Sequence, residues 1–209
     1  SVTTTWNGSS WDNGTPTANL QAVIAGNYDT NTQGSIDACS ITVQSGTLTV
    51  AAGTYVSVDG DVTVDAGANL VIEHEGSVVQ IEDTSNAVNN GSITASKTTE
   101  SLTFKEFSVM SSPLSASTRD VAFSGALRVF GHNPALFDTN DAVSAIVGDA
   151  INFVDQTGND RIPMTSTEAL DVATGYIVVP FGPGTGGVGA TYTAVYSQGN
   201  LNNGIINKG

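Results

Sequence analysis

Residues 45–53, SGTLTVAAG, recur fourteen positions later as DGDVTVDAG at residues 59–67. Gly46/Gly60, Thr49/Thr63, Val50/Val64, Ala52/Ala66 and Gly53/Gly67 are identical between the copies. The glycines at 46, 53, 60 and 67 stand seven apart, and each interval is one strand-length segment of alternating apolar and polar residues. A segment that short cannot bury its apolar side alone, so it must stack on a neighbour of the same shape, which is the logic of a β-solenoid. The repeat therefore predicts an architecture and a rigid scaffold, and it carries almost no chemistry.

The alternation extends over residues 35–96. Ile41/Val43, Leu48/Val50, Val56/Val58, Val62/Val64 and Leu70/Ile72 form apolar pairs with Thr, Ser, Asp or Glu between and beside them, each pair closed by a Gly-containing turn. A two-sided coil of about fourteen residues and a three-sided one of about twenty-one both fit the seven-residue step. We favour three sides, which gives about three coils over this stretch. The phase slips at Val78-Val79-Gln80-Ile81, where a bulge or corner is expected. Residues 1–34 are turn-rich around one apolar strand and hold Trp6 and Trp11, which suits an end cap with the first strands. From residue 101 the character changes to short strands, expected at 102–110, 126–130, 150–154, 175–180 and 190–196, separated by Pro/Gly/Asn-rich loops. One or two helical turns are expected within 141–147. The expected fold is thus all-β: a cap with first strands (1–34), a parallel β-solenoid or β-helix (35–100), and an antiparallel β-sandwich-like domain (101–209).

Charge narrows the partners. The chain carries 20 acids and 6 bases, a net charge of −14. Residues 1–100 hold 11 of the acids and a single base, Lys97, while residues 101–209 hold 9 acids and 5 bases. Such a field repels phosphate backbones and anionic lipid and attracts divalent cations. Nucleic-acid binding is not expected, nor is membrane insertion, since no apolar run approaches the ~20 residues of a span. The opening Ser1 fits a chain whose signal peptide has been removed, and equally one trimmed by other means. Cys39 is the one cysteine, which rules out an intramolecular disulfide. Its phase with Ile41 and Val43 predicts a small buried side chain.

Several segments carry a resemblance. They are Thr5-Trp6-Asn7-Gly8-Ser9-Ser10-Trp11-Asp12-Asn13-Gly14-Thr15-Pro16, Ala38-Cys39-Ser40-Ile41-Thr42-Val43, and Glu73-His74-Glu75-Gly76-Ser77-Val78-Val79-Gln80. In the second half, Phe107-Ser108-Val109-Met110-Ser111-Ser112-Pro113, Thr174-Gly175-Tyr176-Ile177-Val178 and Gly199-Asn200-Leu201-Asn202-Asn203-Gly204 extend it over nearly the whole chain. Together they resemble the secreted and cell-surface repeat proteins of Bacteroidetes exported by the type IX secretion system. The resemblance implies an extracellular, surface-bound protein of the adhesin or filament kind. Members are usually longer and end in a C-terminal sorting domain. No such domain is visible up to Lys208-Gly209, so a fragment, a processed subunit and a distinct small protein all stay open.

The candidate sites are few. Trp6 and Trp11 could stack on sugar rings, but aromatics at the start of a solenoid more often plug its end. Asp59, Asp61 and Asp65, with Glu73 and Glu75, are candidate oxygen ligands for calcium, although no dedicated calcium loop is present and a solvated acidic face explains them more simply. His74 lies between Glu73 and Glu75, yet on a strand both glutamates point away from it. Its phase with Leu70 and Ile72 predicts a buried, hydrogen-bonded histidine. His132, in Gly131-His132-Asn133-Pro134, has no nucleophile motif beside it, and the glycine run at 182–189 precedes a strand rather than the helix a phosphate loop needs.

No catalytic residue and no cofactor is therefore expected, and the chain reads as non-enzymatic. Two classes of function remain. One is a structural or adhesive surface protein that self-associates or binds other cell-surface proteins. The other is a carbohydrate-binding module of a larger secreted enzyme, using Trp6, Trp11, Tyr192 or Tyr196 on glycans. Exposed clustered aromatics would favour the second, and buried aromatics with open strand edges the first.

Overall fold

The computed structural model describes residues 2–140 and 155–208. The helical turns expected at 141–147 and the strand expected at 150–154 lie outside the described residues. The chain opens with β1 (Val2–Trp6) and then coils through β2 (Leu20–Ile24), β3 (Tyr28–Asp29) and, after a single turn of helix α1 (Thr30–Gln33), β4 (Ile36–Ala38). The second coil is β5 (Ser40–Val43), β6 (Thr47–Val50) and β7 (Tyr55–Val58), and the third is β8 (Val62–Val64), β9 (Asn69–Ile72) and β10 (Ser77–Gln80). A fourth begins with β11 (Ala87–Asn89) and β12 (Ser92–Thr98). The strands stack into three parallel walls: sheet A in the order β1-β2-β5-β8-β11, sheet B continuing β3-β6-β9-β12, and sheet C as β4-β7-β10.

The coil is three-sided. Ile41 pairs with Val62, twenty-one residues on. Leu48 pairs with Leu70 and Val56 with Val78, each twenty-two residues on. The fourteen-residue repeat is thus not the coil period; it relates β6 on sheet B to β8 on sheet A, two sides away. Each seven-residue step is one side, and glycine supplies the corners. At Gly46 the backbone takes φ +75°, a left-handed conformation that side chains with a Cβ disfavour. Inside the coil the side chains line up in rows that run down the stack. Tyr28, Leu48, Leu70 and Ile93 form one such row and are all almost fully buried. Parallel strands stack in register here because a slip of one residue would turn every row outward.

The coils start earlier than the alternation over 35–96 indicates, since β2, β3 and β4 already complete a turn within residues 20–38. The turn-rich loop between β1 and β2 hides this, because Gly and Asn break up the local pattern. Of the bulge or corner expected at residues 78–81, no bulge occurs; the strand ends at Gln80 and the chain turns at Asp83–Thr84. Strand β10 runs in unbroken register with β7, and the extra apolar residues, Val79 on the strand and Ile81 just past it, are 45% and 61% exposed. Cys39 stands at the corner between β4 and β5 and is half-buried rather than buried, because the chain turns there instead of continuing the alternation.

After residue 100 the strands become antiparallel. Sheet D has the order β13-β16-β14-β15, with β13 (Ser108–Met110), β14 (Arg128–His132), β15 (Arg161–Pro163) and β16 (Tyr176–Val179). Residues 102–107, expected to begin a strand, form a turn instead: Lys105 has φ +75°, and Glu106 Oε2 accepts the Thr103 N–H at 2.5 Å. The last strand, β17 (Thr193–Tyr196), pairs antiparallel with β12 and so closes the end of sheet B. Phe123, following the one-turn helix α2 (Arg119–Ala122), lies between the sheets. Its ring centroid is 6.4 Å from that of Tyr176 on sheet D and 5.9 Å from that of Tyr196 on β17. The antiparallel sheet and the solenoid end therefore share one sandwich-like core.

Candidate functional site

The fourth coil is incomplete. Strand β11 continues sheet A and β12 continues sheet B, but among the described residues no strand continues sheet C past β10. Instead, the chain leaves the stack after Thr98. The Thr99 N–H donates to the Tyr192 carbonyl, and the Tyr192 N–H donates to Thr99 Oγ1. The position that a fourth sheet C strand would take is occupied by a cavity of about 500 Å³. A second cavity of about 420 Å³ shares Val78, Pro113 and Leu201 with the first, so the two form one groove along β10.

The groove presents strand edges. Ser77–Val78 on one side and Ser108–Ser111 on the other line it as consecutive residues. Successive side chains of a strand point to opposite faces, so a strand that shows consecutive residues to a cavity shows it an edge. Both β10 and β13 end their sheets. The N–H groups of Ser77 and Ile81 donate to Thr54 and Val58 on the β7 side. By alternation, the backbone groups of Val78 and Gln80 face away from β7 and toward the groove. Its apolar walls are Ile72, Val78, Ala95, Met110, Pro113 and Leu201, and its charged ones are Glu73, Glu75 and Lys97. Beyond Gln80 follow Glu82 and Asp83, both exposed. Tyr196 also lines the groove, is 2% exposed, and its hydroxyl has no hydrogen-bond partner among the described residues. Burial pushes that hydroxyl's pKa well above the usual tyrosine value.

The residues singled out from the sequence lie elsewhere or play other parts. Trp6 is 7% exposed, and its indole N–H donates to the Asn27 carbonyl at 2.8 Å. Its ring stands 5.8 Å from Trp11 and 5.1 Å, edge-on, from Tyr28, while Trp11 and Tyr28 are 5.6 Å apart. The three rings pack over the outermost coil, and Trp11 is only half-buried. Tyr192 is buried, and its hydroxyl donates to the Ser124 carbonyl. Asp59 and Asp61 share the corner between β7 and β8, whereas Asp65 lies at the next corner, between β8 and β9. The structure does not gather the three, and Asp61 is already engaged by the Asn86 N–H at 2.7 Å. Among the described residues no group of three or more His, Cys, Asp or Glu side chains is placed to hold a metal ion.

His74 is hydrogen-bonded but not buried. Its side chain is 38% exposed, and its Nδ1 accepts the Thr98 N–H at 3.3 Å. Strand β9 stops at Ile72, so the strand alternation used to separate His74 from its glutamates no longer applies. Glu75 takes φ +66° and brings its carboxylate to 3.9 Å from His74 Nε2, beyond hydrogen-bond reach. His132 ends β14 and stands 3.4 Å from Asp160. The glycine-rich loop is tied back to the chain: the Ser101 hydroxyl donates to the Gly187 carbonyl and accepts the Gly189 N–H.

The groove is lined by residues distant in sequence and no single segment announces it. Its one local trace is the pair of exposed apolar residues Val79 and Ile81, which mark a strand that does not end in ordinary solvent-facing polarity. Against known families, the model described as Domain of unknown function (DUF8693) matches residues 1–209. No curated protein and no solved structure matches the chain.

Proposed function

We propose that this chain, which belongs to the DUF8693 family, is a non-enzymatic structural or adhesive protein of the bacterial cell surface that works through strand-edge contacts, as a subunit of an extracellular filament or stalk. The observation that carries the proposal is that, among the described residues, sheet C ends in strands paired on one side only, β4 and β10, and that the free side of β10 lines a groove. An uncovered edge invites pairing and aggregation in a monomer and serves as a joint in an assembly. The surface location and the export route rest on the resemblance of the sequence segments quoted above to type IX-exported Bacteroidetes proteins.

Burial of the aromatic rings weighs against the carbohydrate-binding alternative. Glycan platforms need flat, exposed rings, and of the four candidates Trp6, Tyr192 and Tyr196 are each under a tenth exposed, while Trp11 is half-buried against Trp6 and Tyr28. Electron microscopy and light scattering of the purified protein, with and without EDTA, test the proposal. Filaments or defined oligomers are expected. A 21.3 kDa monomer at every concentration, paired with binding in a glycan screen, would replace it with the alternative.

A further inference from the structure

From the unfilled third side of the fourth coil we infer that the groove beside β10 is an acceptor for an extended strand of another protein, one that alternates small apolar residues and carries Lys or Arg at its ends. This rests on the reading that the protein acts through strand edges. The shape argument comes from the fold itself. Sheets A and B each possess their fourth-coil strand, and the volume beside β10 is where, among the described residues, sheet C lacks one. A strand placed there would pair with the outward backbone groups of Val78 and Gln80 and continue the ladder that already links β4, β7 and β10. Alternate side chains of that strand would meet Val78, Leu201 and Pro113 on one face, which calls for apolar residues there.

The charge argument selects the partner. Glu73 and Glu75 flank one end of β10, and Glu82 and Asp83 follow the other, with Lys97 on the β12 wall the one base along the groove among the described residues. An incoming strand is thus met by acids at both ends, which favours basic termini and repels acidic ones. This chain is a poor donor to its own groove: its net charge is −14, residues 1–96 contain no Lys or Arg, and the six bases from Lys97 onward do not stand at both ends of any alternating apolar segment. The occupant is accordingly a separate, basic protein segment rather than a second copy.

The test uses the full chain and two short synthetic peptides of alternating Val and Thr, one flanked by Lys and one by Glu, followed by fluorescence anisotropy. The Lys-flanked peptide is expected to bind at least about fivefold tighter than the Glu-flanked one. Val78→Pro removes an N–H that faces the groove and spares those that Ser77 and Ile81 donate on the β7 side, so it is expected to weaken binding at least about tenfold with an unchanged circular dichroism spectrum. The double variant Glu73→Lys with Glu75→Lys lies on the exposed rim and decides the matter if the proline variant misfolds. It is expected to narrow or reverse the preference between the peptides. Absence of binding by either peptide, or binding that neither variant changes, overturns the inference. Oligomers that Val78→Pro dissolves, in a protein that binds no peptide, also overturn it by making the occupant a second copy, and that outcome leaves the strand-edge function standing. A monomer that binds the Lys-flanked peptide supports the inference while refuting the filament.

Discussion

Replacing Leu70 by alanine tests whether the solenoid core is a set of stacked rows. Leu70 is 1% exposed and sits in the sheet B row between Leu48 on one side and Ile93 on the other. The substitution removes three carbons, worth ~2.4 kcal/mol at about 0.8 kcal/mol for each buried methylene. A cavity term adds to this, and buried Leu→Ala changes cost about 2–5 kcal/mol depending on how far the surroundings collapse. Collapse is restricted here, because Leu48 and Ile93 belong to strands whose separation of about 4.8 Å is fixed by the backbone ladders on each side. The expected loss is therefore in the upper part of the range, about 4 kcal/mol. Val71 is the control: it neighbours Leu70 on the same strand but faces outward, and Val71→Ala should cost under about 1 kcal/mol. Urea unfolding followed by circular dichroism measures both, with an unchanged m-value required for the comparison. A loss below about 2 kcal/mol at Leu70, or equal losses at the two positions, would refute the stacked-row core.

Four further outcomes follow from the structure. A methyl group at Gly91 would fall on the Ala68 and Asp65 carbonyl oxygens, the first of which accepts the Ser92 N–H, so Gly91→Ala should destabilise by about 1–3 kcal/mol in the same urea assay. Burial raises the Tyr192 hydroxyl to about 12 and raises those of Tyr28, Tyr176 and Tyr196 as well. Because the unfolded chain ionises near pH 10 while the fold holds these groups neutral, the stability they contribute is full below pH 10 and lost as pH climbs toward 12, on the order of 2 kcal/mol from Tyr192 alone. Tyrosinate absorbance should therefore appear in step with loss of the circular dichroism signal, and smooth titration of all five tyrosines near pH 10 in a folded protein would contradict this. Trp11→Ala removes the ring packed against both Trp6 and Tyr28, and about 2 kcal/mol of lost stability with a red-shifted Trp6 emission is expected. Millimolar calcium should leave the urea midpoint unchanged, since Asp59 and Asp61 stand apart from Asp65, and stabilisation above about 1 kcal/mol would show a site that the fold does not assemble from these acids.

The solenoid was legible because its rules are local. A two-residue alternation and a glycine every seven residues are properties of short windows, and both follow directly from the pleat and the corner. What the windows do not contain was missed. The coil formed by residues 20–38 has the same three sides as the next, but its corner glycines, Gly26 and Gly34, stand eight apart with the helical turn α1 inserted before the second, which breaks the seven-residue rhythm. Glu75 comes to 3.9 Å from His74, without a hydrogen bond, because a single left-handed residue past the strand end cancels the alternation argument. Strand β15, with all three residues exposed, lacks the apolar half of the alternating signal and is recognisable only through its pairing with β14. The groove is the furthest from the sequence, since it is defined by segments more than a hundred residues apart, such as Val78 and Leu201.

How the three walls end shows which edge is left for use. Sheet B ends on β17, an antiparallel strand supplied by the chain itself, and a stack that has reversed direction has no further parallel strand to template. Sheet A ends on β11, whose Asn89 is held on both sides of its amide: its N–H donates to Asn200 Oδ1 and its Nδ2 donates to the Gly199 carbonyl. Sheet C ends on β10 with neither device. Its four residues include no Pro, Lys or bulge, the usual protections of an edge, and its outward positions add Val79 rather than a charge. Acids appear only past the ends of the strand, at Glu73 and Glu75 before it and Glu82 and Asp83 after it. Charges placed there do not block pairing along β10. They discriminate among the strands that would pair, so the same residues that leave the edge open also restrict which chain can close it.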